Sequence, residues 1–231
     1  MDKTSRMANA PVLPLLLRMS GPAIFSMLIM ALYNIVDSLF VAAVSEIALR
    51  SVSIIFPIQM LMVAFAVGTS VGVNSYVARR LGAEDVETAS LAASHGLALS
   101  FVNWAFFLVA GYLAAPELVK LFSDHHQVIG DSVAYLRIVT VASLGLFWQI
   151  HTEKIFQATG NMTRAMYIQL TGAILNIILD PILIFGWFGL PAMGVQGAAL
   201  ATVIAQLIAG AIAIYLLTKR ERVLKVSLKG F

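Results

Sequence analysis

The stretch ILNIILDPILIF, residues 174–185, places Asn176 and Asp180 within a run of branched apolar side chains and follows the acid with Pro181. Such a run predicts a helix surrounded by lipid or protein, where a charged carboxylate costs at least about 2.5 to 3.5 kcal/mol unless something pairs with it, hydrates it or protonates it. Pro181 has no N–H, so the carbonyl of Ile177 loses its helical partner and is free to bind water or an ion. The stretch therefore indicates a membrane-spanning helix that carries a functional acid.

The composition of the whole chain agrees with a membrane-embedded fold. Of its 231 residues, 60% are hydrophobic and 12% are charged, whereas soluble domains average about 45–50% apolar and about 25% charged residues. Uncharged stretches recur along the whole length, and the alternation typical of barrel strands is absent, which favours helices. The chain has no cysteine, which excludes disulfides, thiolate metal sites and cysteine nucleophiles. The predicted fold class is an all-α membrane protein.

Six stretches exceed the roughly 20 residues that a helix needs to cross a bilayer. We therefore expect a six-helix transmembrane bundle that forms one lobe over residues 1–231. The predicted spans are approximately Leu15 to Val44, Ser51 to Arg79, Ala89 to Ala115, Ser132 to Ile155, Ala165 to Phe188, and Val195 to Thr218.

Lysine and arginine residues divide unequally between the two sides of such a bundle. The side that holds both termini has Lys3, Arg6, Arg18, Arg79, Arg80, Lys154, Arg164, Lys219, Arg220, Arg222, Lys225 and Lys229. The other side has only Arg50, Lys120 and Arg137. Cytoplasmic loops carry the excess of positive charge, so the sequence predicts an integral plasma membrane protein with both termini in the cytoplasm.

Small residues and prolines predict how the helices pack. One face of the sixth helix should admit a close neighbour, because small residues recur there at every fourth position. These residues are Gly197, Ala201, Ala205, Ala209 and Ala213. Gly68 and Gly72 predict a similar close approach on the second helix. Pro22 and Pro57 should bend the first and second helices, and a bend can be a static shape or a hinge.

Two acids lie well inside the predicted spans, Asp37 in YNIVDSLFV and Asp180 in the opening stretch. Asp37 follows Arg18 by nineteen residues, and Asp180 follows Arg164 by sixteen. At about 1.5 Å of rise per residue, both acids lie roughly 24 to 29 Å from the cytoplasmic end, in the outer half of the bundle. We therefore expect the first and fifth helices to hold their carboxylates at nearly the same level.

Each acid has a polar companion one helical turn earlier, Tyr33 for Asp37 and Asn176 for Asp180, and this spacing puts both members of a pair on one face. Thr202 reaches a similar layer from the outer end of the sixth helix. Such an oxygen-rich cluster suits Na⁺ or a shared proton, because two nearby carboxylates cannot both ionise cheaply. Its predicted function is ion coupling. The alternative is that neighbours merely satisfy both acids, which then fix helix register.

Other polar and flexible residues are weaker candidates for the wall of a substrate cavity. Gln59, Asn103 and Gln149 lie within predicted spans, where hydrogen bonding between helices is an equally good interpretation. Met27 and Met30 offer an adaptable apolar wall, although core packing explains methionines too.

At these residues the sequence resembles the amino-terminal half of the multidrug and toxic compound extrusion (MATE) family. The matching segments are YNIVDSLFVA, ARRLGAED, AYLRIVTVASLG, FQATGN and ILNIILDPILIFGWFGLPAMGVQGAALATVIAQ. The resemblance implies a secondary active exporter of amphiphilic, often cationic compounds that is driven by inward flow of protons or sodium. By motif position, Asp37, Asn176, Asp180 and Thr202, with Tyr33 nearby, resemble the family's cation or proton site, and Pro22 resembles its bending proline.

The resemblance also implies a missing partner. MATE transporters have twelve helices in two lobes, whereas six are predicted here, and alternating access needs two bodies that rock about a central site. We therefore expect either a second half that follows in a longer protein or a second copy in a parallel homodimer. The bilayer and small amphiphilic substrates are the other predicted partners. No cofactor and no nucleic acid are expected.

Three other functions remain open from the sequence. An intramembrane aspartyl protease also needs two buried aspartates, but Asp180 lies in LDP and the Pro-Ala pair of LPAM, residues 190–193, falls in a predicted outer turn. A lipid or oligosaccharide flippase of the same superfamily should need a more cationic cavity for phosphate. A purely structural membrane subunit is the third alternative. The transporter interpretation predicts that the protein is not an enzyme.

Overall fold

The computed structural model describes residues 11–221 and 223–226, without the side chains of Val12, Leu15 and Arg18. The predictions that concern Lys3, Arg6, Arg222 and Lys229 lie outside these residues, as does the side chain of Arg18.

The described part of the chain is built from helices. They are α1 (Val12–Val44), α2 (Glu46–Gly82), α3 (Val86–Lys120), α4 (His126–Val141), α5 (Leu144–Ala158), α6 (Met162–Phe185) and α7 (Gly194–Tyr215). A 3₁₀ turn at Trp187–Gly189 precedes α7, and a π turn at Leu216–Arg220 extends it. Among the described residues, five helical segments are long and apolar enough to cross a membrane, and the number is six when the bent pair α4 and α5 is counted as one span. The predicted all-α membrane fold is confirmed.

The fourth predicted span, Ser132 to Ile155, is not one straight helix. The chain bends by 49° between α4 and α5. At the bend, the Ser143 hydroxyl donates to the carbonyl of Thr140 at 2.8 Å, and such a local bond competes with the regular backbone ladder. The sequence missed this bend because it contains no proline at that place.

The small-residue face of the sixth span packs as predicted. Every member of the set Gly197, Ala201, Ala205, Ala209 and Ala213 is buried, and α6 and α5 lie against α7. A Cβ placed on Gly197 would come within 2.5 Å of the carbonyl oxygen of Leu183 on α6. Here the absence of a side chain sets the distance between helices.

The prediction for Gly68 and Gly72 is wrong. A Cβ at either position would meet no atom within 4 Å, and both glycines are exposed on α2. Pro22 and Pro57 lie inside α1 and α2, which continue through them as unbroken helices.

The connections between helices are short and well capped. Ser45 alone joins α1 to α2, and its hydroxyl accepts a hydrogen bond from the N–H of Ala48 at 3.0 Å. In the connection between α2 and α3, Oδ1 of Asp85 accepts from the N–H of Thr88 at 3.1 Å. Hydrogen bonds from Thr88 hold the pKa of Asp85 below its ordinary value.

The chain that follows the π turn crosses one end of the bundle. Arg164 at the start of α6 donates to Glu221 at 2.7 Å and to the carbonyl of Arg220 at 3.2 Å. Further on, the N–H of Lys225 donates to the hydroxyl of Ser90 on α3 at 3.1 Å, and Leu224 is buried. The starts of α3 and α6 and the end of α7 therefore share one end of the bundle. That this end faces the cytoplasm stays a prediction.

Candidate functional site

The structure brings Asp37 of α1 and Asp180 of α6 together. Their carboxyl groups lie next to each other, close enough to interact, and two neighbouring buried carboxyls cannot both ionise cheaply. Asp180 is 0% exposed. Oδ1 of Asp37 is buried and accepts no hydrogen bond from any N–H or O–H group of the described residues. A proton or a small cation is the kind of group that would satisfy this oxygen.

Asn176 and Thr202 form a second layer beside the acids. The amide of Asn176 faces Asp180 with its nitrogen, which donates to Oδ2 of Asp180 at 2.8 Å. Its oxygen accepts from the hydroxyl and the backbone N–H of Thr202, each at 3.2 Å. Since Asn176 precedes Asp180 by four residues, both side chains lie on the same face of α6, as the spacing predicted. The amide thereby holds the carboxylate of Asp180 in a fixed orientation.

Two phenols complete the cluster, and the sequence indicated only one of them. The hydroxyl of Thr202 lies close to the phenols of Tyr33 on α1 and Tyr135 on α4. Gln59 of α2 donates to the Tyr135 hydroxyl at 3.3 Å. Tyr135 was missed because a straight fourth span gives no reason to aim this residue at the acids. Gln59 therefore lies at the edge of the cluster and supports Tyr135.

A cavity adjoins the cluster and encloses about 600 Å³ of empty space, part of it open to the exterior. Tyr33, Asn176 and Thr202 form one end of its wall. The remaining described lining residues are Met30, Val63, Leu146, Gln149, Ile150, Glu153, Gln169, Gly172, Ala173, Ala205 and Gln206. The part that a water-sized molecule can fill is about 90 Å³, less than the about 300 to 1,000 Å³ of a complete small-molecule site, so this lobe contributes one wall of such a site.

The weaker cavity candidates divide between this wall and other places. Met30 and Gln149 line the cavity. Met27 points outward and is 71% exposed. Asn103 lies elsewhere, where it donates to the hydroxyl of Thr69 at 2.8 Å. Asn103 therefore forms a hydrogen bond between helices and does not line the cavity.

The donor set of the cluster consists of oxygen atoms. Among the described residues, no three His, Cys, Asp or Glu side chains come together as a metal-binding group. Two carboxyls with surrounding hydroxyl and amide oxygens suit Na⁺ or a proton, which prefer hard oxygen ligands. The cluster thus offers the kind of oxygen donors that bind a small ion, and its neighbours line the cavity.

Comparisons with known proteins point to one family. The model of the family described as MatE matches residues 22–182. A Pseudomonas putida protein named "Probable multidrug resistance protein NorM" is 31% identical over 87% of this chain and 44% of its own length. The FAD transporter of Shewanella oneidensis is 27% identical over 94% of this chain and 48% of its own length. The chain spans about half the length of the curated relatives it matches.

A solved structure shows the same likeness in three dimensions. The outward-facing conformation of a multidrug resistance MATE family transporter of the MOP superfamily superposes with a TM-score of 0.87 at 29% identity. The match covers 94% of this chain and 48% of that chain. Family model, relatives and structure agree on one conclusion, which the sequence motifs predicted: the chain belongs to the MatE family of membrane transporters.

Proposed function

We propose that this chain is one lobe of a secondary active exporter, which moves amphiphilic organic cations outward in exchange for protons or sodium. The observation that carries the proposal is the buried contact between Asp37 and Asp180 directly behind the cavity wall. The relatives named as multidrug proteins support the same activity.

The geometry suggests how ion and cargo compete. Tyr33, Asn176 and Thr202 line the cavity, Asn176 also donates a hydrogen bond to Asp180, and Thr202 donates to Asn176. An ion that binds the acids changes the hydrogen bonds of this shared wall, and cargo that binds the wall changes the acids. Such reciprocal coupling is what an antiporter requires. Pro22 remains our proposed hinge, because α1 carries both Tyr33 and Asp37 and a bend there would move them together.

The cavity favours cationic over anionic cargo. Its described lining contains Glu153 and no lysine or arginine. The relative that is named as an FAD transporter handles a diphosphate, and a diphosphate should need basic groups that this lining does not offer. The same reasoning disfavours a lipid-phosphate flippase.

Replacement of Asp37 by asparagine should abolish export, because the amide can neither carry the proton nor hold the sodium charge. We expect drug-sensitive cells that produce the Asp37→Asn protein to retain ethidium as fully as cells without it. The exposed acid Glu46 at the start of α2 provides the control, and Glu46→Gln should export normally. Unchanged efflux by Asp37→Asn at equal membrane abundance would refute the proposal.

We also propose that the working transporter contains a second six-helix lobe, supplied by the rest of a longer protein or by a second copy of this chain. Alternating access needs two bodies about one site, and the curated relatives are about twice as long as this chain. We further propose that both termini lie in the cytoplasm, as the positive charges predict.

A parallel homodimer can be tested by cysteine crosslinking, since the chain has no native cysteine. Met27 is exposed on α1 one turn from the cavity residue Met30, so Met27→Cys should form crosslinked dimers in membranes. Leu113 is equally exposed, at 70%, on α3, a helix that does not pack against α1. Leu113→Cys should therefore stay monomeric. Exclusively monomeric Met27→Cys protein with intact efflux would contradict the homodimer.

A further inference from the structure

The cavity wall contains a carboxylate that the coupling cluster does not use. Glu153 of α5 lines the cavity and is the charged residue among its described lining. Asp37 and Asp180 do not line it, since they lie behind Tyr33, Asn176 and Thr202. Cargo in the cavity therefore meets Glu153 directly and the coupling acids only through that intervening wall.

Glu153 has a hydrogen-bond partner but forms no salt bridge with any of the described residues. It is 9% exposed, and Nε2 of Gln149 donates to its Oε1 at 3.0 Å. The neighbouring Lys154 donates instead to Oε1 of Gln157 at 3.1 Å. No lysine or arginine among the described residues forms a salt bridge with Glu153. A buried carboxylate without a counter-ion is costly, so a bound cation would stabilise it.

The cavity around Glu153 is elongated and could hold the apolar part of an amphiphilic cation whose charge lies at Glu153. Along α6 the cavity extends from Gln169 to Asn176, a distance of about 10 Å at 1.5 Å per residue. Glu153 lies at the end near Gln169, and Thr202 lies at the other end. Gly172 has no side chain, and this leaves room for the side chain of Gln149. A Cβ on Gly172 would lie 3.3 Å from Oε1 of Gln149.

Apolar side chains separate these two polar ends. They are Met30, Val63, Leu146 and Ile150. Methionine adapts to differently shaped apolar ligands. The cavity wall therefore has an anionic end, an apolar middle and a neutral polar end, and the neutral polar end lies beside the coupling acids.

We infer that Glu153 pairs with the positive charge of the cargo, while Asp37 and Asp180 handle the coupling ion. This division of roles rests on the proposed export function, and it makes Glu153 a specificity residue rather than a coupling residue. It predicts that the two sites can be disabled separately.

The test compares two ligands of similar shape and different charge. Full-length chain in lipid nanodiscs is titrated calorimetrically with methyltriphenylphosphonium, a permanent cation, and with neutral triphenylphosphine oxide. The titration asks whether this lobe binds cargo by itself through the residues that line its cavity. Glu153→Gln should weaken binding of the cation about tenfold or more and change binding of the neutral ligand less than twofold.

Matched variants separate charge from folding. Glu117 is an acid whose side chain is 78% exposed and pairs with Lys120, so Glu117→Gln should bind both ligands as wild type does. Glu153→Asp keeps the charge and should lose less cation affinity than Glu153→Gln. If Glu153→Gln fails to fold, Glu153→Asp must still lower cation affinity selectively, since its shorter side chain moves the charge.

The outcomes distinguish this inference from the proposal on which it rests. Equal losses for both ligands, or no loss for the cation, would overturn the role of Glu153. If that occurs while Asp37→Asn still abolishes ion-driven efflux, the export function stands without this inference. Wild-type chain that binds neither ligand would overturn the cargo proposal and the inference together.

Discussion

Replacement of Asp180 by asparagine is expected to abolish ion-driven efflux as completely as Asp37→Asn, and the double variant should be no worse than either single one. The two carboxyls are in contact and share one buried environment, so they act as a unit. Losses from residues that act as a unit are not additive. Ethidium efflux from cells that produce each variant at equal abundance measures the effect.

The matched control for this cycle is Asp124, an exposed acid in the connection between α3 and α4. Asp124→Asn should export as wild type does, alone or combined with Asp37→Asn. If instead Asp180→Asn retains a substantial fraction of efflux, or if the double variant is markedly worse than both singles, the acids act independently. That result would favour the alternative in which each acid only fixes helix register.

A second large effect is expected at Gly145, where α5 crosses α7. A Cβ on Gly145 would collide with backbone atoms of Gln206 and Leu207, and a Cβ on Gly210 would lie 2.7 Å from the carbonyl oxygen of Gly145. Backbone atoms cannot turn aside as a flexible side chain does, so Gly145→Val must push the two helices apart. We expect a loss of about 3 kcal/mol or more in the free energy of unfolding, seen as little folded protein in detergent and a lowered melting temperature.

Gly72, a glycine within α2 that no neighbour approaches, provides the control for Gly145→Val. A Cβ at Gly72 meets no atom within 4 Å, so Gly72→Val should melt close to wild type. Similar melting temperatures for the two variants would show that α5 and α7 separate easily, and the close crossing would then contribute little to stability.

The sequence predicted the fold and the acid cluster because both follow from patterns within single helices. Neither prediction needs to know which helices are neighbours. Span length follows from bilayer thickness, and the level of Asp37 and Asp180 follows from helical rise. The spacing of Asn176 and Asp180 fixes their common face. Each of these quantities is local to one helix, so none required knowledge of the neighbours.

The parts that the sequence did not predict depend on how helices meet. Gly68 and Gly72 have the spacing of a packing face, yet no neighbour approaches them, because spacing does not say which face of a helix is covered. Tyr135 belongs to α4, and nothing in the sequence pattern of that span indicated which of its side chains faces the acids; the bend after α4 has a Ser143–Thr140 hydrogen bond but no proline. Glu153 lies near the end of a predicted span. An acid at such a position is normally interpreted as exposed to solvent, so the sequence did not indicate that Glu153 is buried.

The single-residue joint at Ser45 restricts how α1 can move. Consecutive Cα atoms are about 3.8 Å apart, so this joint keeps the last turn of α1 beside the first turn of α2 in every state of the protein. A rotation of α1 as one rigid body would therefore pivot at that joint, with little movement there and the greatest movement at the opposite end. Because Asp37 lies eight residues before Ser45, such a rotation moves Asp37 less than it moves Met30.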